Sequence, residues 1–171
     1  MASGHLQRFS EKNVWVSRPS ILFAKKHFKS KTNIIVEVGV WKGRHAFDMR
    51  VQLNPKHMYL IDSFDVKYPE NKHNMNGLLE NIDGFNDITF IRKFSHEAVS
   101  DVPDDIDLVY IDASHEYEDV KLDVESWLPK IRIGGIICGH DFNDANVRNA
   151  VTELLGGVSE GETDWWKLKC K

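Results

Sequence analysis

Two short stretches concentrate side chains capable of metal and acid–base chemistry. One is Asp112-Ala113-Ser114-His115, which follows the apolar run Leu108–Val109–Tyr110–Ile111; the other is Gly139-His140-Asp141, which follows Ile136–Ile137–Cys138. An apolar run that ends in a carboxylate delivers it to one rim of a sheet. If the two runs pair side by side, about 4.8 Å apart, Asp112 and Asp141 can reach one hard cation. Magnesium keeps several waters and so leaves positions for a hydroxyl group. Coordination lowers the pKa of that hydroxyl, and the His115 imidazole can take the proton. His140 adjoins Asp141, but imidazole suits magnesium poorly, and as a ligand it would shift the preference toward manganese. If the strand continues through them, His140 and Asp141 also point to opposite faces. Each residue has a plainer role when taken alone: Asp112 as a turn cap, Asp141 as a helix cap near Asn143, His115 as a structural imidazole. Their coincidence at neighbouring strand ends favours chemistry.

A third corner lies in Glu37-Val38-Gly39-Val40-Trp41-Lys42-Gly43-Arg44, between an apolar run and a helical pattern. That is the setting of a nucleotide-binding loop. Gly39 permits a tight turn, and Gly43 permits close packing or close approach of a ligand. The dinucleotide pattern G-x-G-x-x-G is absent, because counting from Gly39 its other glycine positions hold Trp41 and Arg44. Glu37 sits badly beside a phosphate but suits a ligand with a positive arm. Asp62 ends the next strand, where a carboxylate can accept from two ribose hydroxyls. Ser63 adjoins it, and Ser95 opens the segment after the third strand, as an adenine contact or as an N-cap with Glu97 in the first turn. A nucleoside bearing a cationic amino-acid arm satisfies these corners, which describes S-adenosylmethionine.

The elements that must position these residues alternate strand with helix. Strands are expected at Asn33–Gly39, His57–Asp62, Ile88–Phe94, Asp107–Asp112, Gly134–Asp141 and Asp164–Cys170, with a weaker one within Gly157–Thr163. Helices are expected at about Ser20–Lys29, Arg44–Leu53, Asn76–Ile82, Tyr117–Leu128 and Val147–Leu155. Near-continuous apolar strands separated by helices imply a doubly wound α/β fold, with a mostly parallel sheet and helices on both faces. Ligands in such sheets bind outside the carboxyl ends of the strands, which is where all of the corners above fall. Trp127 reads as core and Tyr117 as either a stacking or a packing residue. One of Trp165 and Trp166 should be buried.

At 171 residues, with 42% hydrophobic and 28% charged side chains, the chain is expected to form one globular domain over residues 1–171, with 1–32 as a helical lead-in. A net charge of −4 gives no nucleic-acid signature. Two cysteines make no disulfide framework, and no apolar run reaches membrane-spanning length, so a reducing, cytoplasmic setting is expected. The connection Ser63–Asp87 is long enough to act as a partial lid. With no separate cap domain, the acceptor site is either open or completed by another subunit, so a homo-oligomer is one expectation.

The stretches "VEVGVWKGRHAF", "YLIDSF", "SHEAV", "DLVYIDASHEYEDVKLDVESWLPKIRIGGIICGHDF", "VRNAV" and "WWKLK" together resemble class I S-adenosylmethionine-dependent methyltransferases. They are most similar to the small family related to macrolide-sugar O-methyltransferases and cephalosporin-hydroxylase-like proteins. The resemblance implies a Rossmann-like, seven-stranded sheet with an antiparallel last strand. It also implies a divalent metal on Asp112 and Asp141, and His115 as base. Related sugar methyltransferases tend to carry another carboxylate where this chain has His140. The activity implied is O-methylation of a hydroxyl on a small molecule or sugar. Its rivals are an inactive methyltransferase-like binding domain, which His140 keeps open, and a nicotinamide-dependent oxidoreductase, which Glu37 and the missing central glycine disfavour.

Overall fold

Each crossover between parallel strands must pass over a face of the sheet, so strands and helices alternate along this chain. A computed structural model describes residues 18–29 and 31–171; the remainder of the expected lead-in lies outside the described residues. The elements are α1 (Pro19–Phe28), β1 (Thr32–Val38), α2 (Arg44–Leu53), β2 (Pro55–Ile61), α3 (Glu70–Ile82), β3 (Ile88–Ile91) and α4 (Ser95–Ala98). They continue with β4 (Ile106–Ile111), α5 (Tyr117–Trp127), β5 (Ile131–Gly139), α6 (Ala145–Leu155), β6 (Ser159–Gly161) and β7 (Asp164–Leu168).

The strands form one seven-stranded sheet in the order β3-β2-β1-β4-β5-β7-β6. The first five are parallel; β7 runs antiparallel to β5, and β6 antiparallel to β7. The Rossmann-like expectation therefore holds, including the weak strand β6. Every residue of β4 is buried, as a strand covered on both faces requires. From Leu108 onward, past an irregularity in register after Ile106, its side chains alternate between two apolar clusters. Ile106, Val109 and Ile111 join Val120, Val124 and Trp127 of α5 and Val147 and Val151 of α6. Leu108 and Tyr110 join Ile21, Ala24, Met49 and Leu53 of α1 and α2. Burying several such side chains at about 1.5–3 kcal/mol each is what holds the layers together.

Of the boundaries that differ from the sequence expectation, three bear on the site, each for a local reason. Helix α3 starts at Glu70, directly after Pro69, well before the expected Asn76. Strand β3 stops at Ile91, because Phe94 already serves as the N-cap of α4. Strand β5 ends at Gly139, and Asp141 lies in the left-handed region at φ 56. No helix among the described residues is long and apolar enough to cross a membrane.

Candidate functional site

The strand order reverses between β1 and β4: β1 leads outward to β2 and β3, β4 outward to β5. A crevice at the carboxyl ends of the strands is expected at such a reversal. The structure has one there, a cleft of about 720 Å³ lined by Gly39, Asp62, Ser63, Ser95 and Asp112 among others. That volume suits a ligand of nucleoside size or larger.

The floor of the cleft depends on Gly39, at φ 82. A Cβ there would lie 2.1 Å from the Asp112 carbonyl oxygen. Only glycine lets the loop after β1 pass this close to the end of β4. Gly43, at φ 77, is the N-cap of α2, and a Cβ on it would meet Leu78 Cδ1 of α3 at 2.6 Å. Its role is thus the close packing of helices, away from the cleft lining.

Asp62 organises the same loop. Its Oδ2 accepts from the backbone N–H groups of Val40 and Trp41, each at 3.0 Å, and its Oδ1 from Phe64 N at 2.8 Å. A carboxylate offers about four acceptor positions, so one remains for a ligand rather than the two that a pair of ribose hydroxyls would use. Trp41, held by this contact, takes a left-handed conformation at φ 51 and is 56% exposed beside the cleft.

Glu37 does not line the cleft. It is buried on the α1/α2 face, where its Oε1 lies 2.9 Å from His45 Nδ1. Burial, followed by the Asp112 charge, pushes the Glu37 carboxyl well up. Burial, followed by Arg18, pushes His45 down to about 3. Both shifts disfavour charge, so the pair is a neutral hydrogen bond. Glu37 Oε2 and His45 Nε2 are buried without partners.

At the end of β4, Asp112 Oδ2 accepts from Arg18 Nη1 at 2.9 Å. Arg18 also donates to the Tyr110 hydroxyl, which donates to Asp164 Oδ1 at 3.0 Å; Asp164 in turn anchors Ser20 of α1. Burial opposes the Arg18 charge, but Tyr110 and Asp112 outweigh it and raise its pKa. The turn after Asp112 is capped instead by Ser114 Oγ, which accepts from Glu116 N at 3.2 Å. Asp144 caps α6, accepting from Asn146 N at 2.8 Å. Neither Asp112 nor Asp141 is used as a cap.

The carboxylate of Asp141 faces two histidines: His115 Nε2 at 2.8 Å from Oδ2, and His140 Nδ1 at 3.0 Å from Oδ1. Because β5 ends at Gly139, His140 and Asp141 converge rather than diverge. His140 Nε2 lies 2.6 Å from Thr163 Oγ1, which engages both ring nitrogens within the protein. Ligand atoms of Asp112, His115 and Asp141 lie within 4.8 Å of one another, a cluster able to hold a metal ion, and His140 Nδ1 lies 3.9 Å from Asp112 Oδ1 beside it. Two carboxylates and an imidazole fit a cation that accepts nitrogen, such as manganese, better than magnesium. The segment Asp112–Ser114 lines both the main cleft and a small crevice containing His115 and Asp141.

Ser95 opens α4, after the Phe94 N-cap, and its Oγ accepts from Trp127 Nε1 at 2.8 Å. Trp127 itself is core, as expected, and Trp165 is the buried one of its pair. Tyr117 donates to Glu153 of α6, a packing role. Sequence reasoning missed Arg18, His45 and Asp123. Asp123 is 5% exposed, lines the cleft, and is pushed up to about 6 by burial, against the opposing effect of Ser95.

A family model described as "Methyltransferase domain" matches residues 36–142, which span β1 to the corner after β5. The chain belongs to this methyltransferase family. It is 24% identical over 143 residues to protein R132 of Acanthamoeba polyphaga mimivirus, covering 78% of this chain and 64% of that one. It is also 40% identical over 52 residues, or 30% of its length, to protein y4gI of Sinorhizobium fredii, of which the match spans only 6%. Among solved structures, the O-methyltransferase NovP superposes with a TM-score of 0.65 at 15% identity, covering 88% of this chain and 79% of NovP. SMU.1697c of Streptococcus mutans, solved in complex with SAH, superposes with a TM-score of 0.63 at 12% identity, covering 89% of this chain and 97% of that one. At these identities the two structures share the methyltransferase fold with this protein.

Proposed function

We propose that this methyltransferase-family protein moves the methyl group of S-adenosylmethionine to a hydroxyl oxygen on a small molecule or sugar. The observation that carries the reading is the cleft at the β1/β4 reversal, with Gly39, Asp62 and Asp112 in its wall and the His115–Asp141 pair beyond Asp112. Asp62 shapes the loop under the donor and keeps one acceptor position for ribose. Displacement at a sulfonium methyl demands mainly alignment and a deprotonated acceptor. Without a bound cation, His115 takes the hydroxyl proton, with Asp141 orienting the ring and stabilising the imidazolium. With one, Asp112, Asp141 and His115 would hold it, and it would lower the pKa of the acceptor hydroxyl. The likeness to the O-methyltransferase NovP supports oxygen as the acceptor atom.

A cation-independent version is favoured by one contact: Arg18 already offsets the Asp112 charge. Calorimetry with S-adenosylhomocysteine, followed by turnover on a panel of hydroxyl acceptors with and without chelator, separates the readings. Binding with turnover is expected, and its loss on chelation assigns the metal. Full activity after chelation assigns the cation-independent version. Tight NAD binding, or none of S-adenosylhomocysteine, refutes the methyl-transfer reading; binding with no turnover on any acceptor leaves an inactive binding domain.

A further inference from the structure

Asp123 is a buried carboxylate on the wall of the cleft, 5% exposed, with no lysine or arginine ion pair among the described residues. An uncompensated buried carboxylate is costly, and a structural role would be served as well by an amide. Its surroundings orient it: Trp127 Nε1 donates to Ser95 Oγ, and Ser95 stands within hydrogen-bonding reach of Asp123. The neighbouring acid Asp119 is already engaged, accepting from Ser114 Oγ at 2.6 Å. Asp123 lines the cleft and, apart from Ser95, accepts no hydrogen bond from a side chain of the described residues, so it retains acceptor capacity. Phe94 and Leu122, 50% and 41% exposed, offer apolar surface in the same lining. Apolar surface and a buried acceptor in one lining suit a flat heterocycle that carries an amine donor.

We infer that Asp123 reads the exocyclic amine of a 6-aminopurine, making it the residue that selects adenine over 6-oxopurine nucleosides. The inference rests on the S-adenosylmethionine reading above: with ribose at Asp62, the base extends past the end of β3 toward Ser95 and α5. A 6-oxopurine would turn a carbonyl lone pair toward the carboxylate, and neither group could donate.

The test is calorimetric binding of S-adenosylhomocysteine and S-inosylhomocysteine to wild type, Asp123→Asn and Ser95→Ala, with melting curves to check folding. Wild type should prefer the adenosyl compound by at least about 30-fold, since a site built around a donor rejects the analogue that lacks it. In Asp123→Asn the amide can donate to the 6-oxo group, and the preference should fall below about threefold. Ser95→Ala should narrow the preference in the same direction without abolishing it. Adenosyl binding with equal preference in wild type and Asp123→Asn overturns this assignment alone. Should Asp123→Asn fail to fold, an unaltered preference in Ser95→Ala overturns it instead. Absence of S-adenosylhomocysteine binding by wild type overturns the methyl-donor reading and this assignment together.

Discussion

Asp123→Asn should make the ligand-free protein more stable at neutral pH, by an amount that disappears in acid. Burial is the main reason the Asp123 carboxyl is pushed up, from 3.8 to about 6; Asp119 adds to the shift, while Ser95 and His96 oppose it. The folded protein therefore holds this proton more tightly than the unfolded chain does. Where the folded state binds more protons, stability falls as pH rises. The loss begins near the unfolded value, runs through the folded one and is complete above it. A gap of about two pKa units corresponds to about 3 kcal/mol. Asparagine keeps the shape and can still accept from Ser95, but it carries no charge to desolvate. The variant and wild type should unfold alike near pH 4. Their difference should grow between pH 4 and 6 and level off near 3 kcal/mol above pH 7, about 6–12 °C in Tm for a chain of this size. Urea titrations at four or five pH values measure it directly, and the Glu37–His45 pair, present in both proteins, cancels. A pH-independent difference, or a variant less stable at pH 7, would refute the argument that Asp123 is an uncompensated buried acid.

Three other outcomes are expected. Asp62→Ala removes the acceptor of three backbone N–H groups as well as a ligand position, so calorimetry should show S-adenosylhomocysteine affinity falling by about 10–100-fold; unchanged affinity would exclude Asp62 from the site. His115→Ala should lower turnover by about 10²–10⁴, and turnover equal to wild type would remove His115 as the base. Arg18→Gln frees Asp112 Oδ2, so isothermal titration with manganese should show tighter binding than in wild type, while weaker binding would mean that Arg18 supports the cation site instead of competing with it.

The α/β architecture was legible because buried parallel strands leave unbroken apolar runs, and the carboxylates that end them stand out. Asp62, Asp112 and Asp141 do reach the carboxyl-end rim of the sheet, as their positions after β2, β4 and β5 suggest. The destination of Glu37 was not legible. Strand alternation turns it away from Val36 and Val38 and onto the α2 face, but His45 as its partner depends on how that helix packs. Arg18 left no local trace: its contact with Asp112 spans 94 positions and depends on where α1 docks. Asp123 did leave one. Val120, Asp123, Val124 and Trp127 recur at the spacing of a buried helical stripe, and an acid inside such a stripe is either paired or functional. The convergence of His140 on Asp141 rested on the left-handed backbone at Asp141, which nothing in the residue types announces.

Three carboxylates of the cleft wall are satisfied in three ways: Asp62 by backbone amides, Asp112 by Arg18, and Asp123 by no lysine or arginine among the described residues. Around them the described lining adds Asp65, Glu116 and Asp119 against Lys67 and Lys93. Both lysines are spent on acids, Lys67 on Asp65 and Lys93 on Asp101, so the cleft presents a net negative potential to an incoming ligand. S-adenosylmethionine carries one positive charge more than S-adenosylhomocysteine, on the sulfonium, and differs otherwise by one methyl group. A unit charge felt at about 8 Å through an intermediate dielectric is worth about 1 kcal/mol. The donor should thus bind about fivefold more tightly than the demethylated product at low salt, which favours exchange of product for donor after each transfer. Surface potential of this kind is screened within about a Debye length, so the preference should shrink as salt rises from about 0.01 to 1 M. Competition calorimetry at the two ionic strengths reads both quantities. Equal affinity for donor and product at low salt would mean that the acids of the wall neutralise one another or the protein, and that the sulfonium is bound by shape alone.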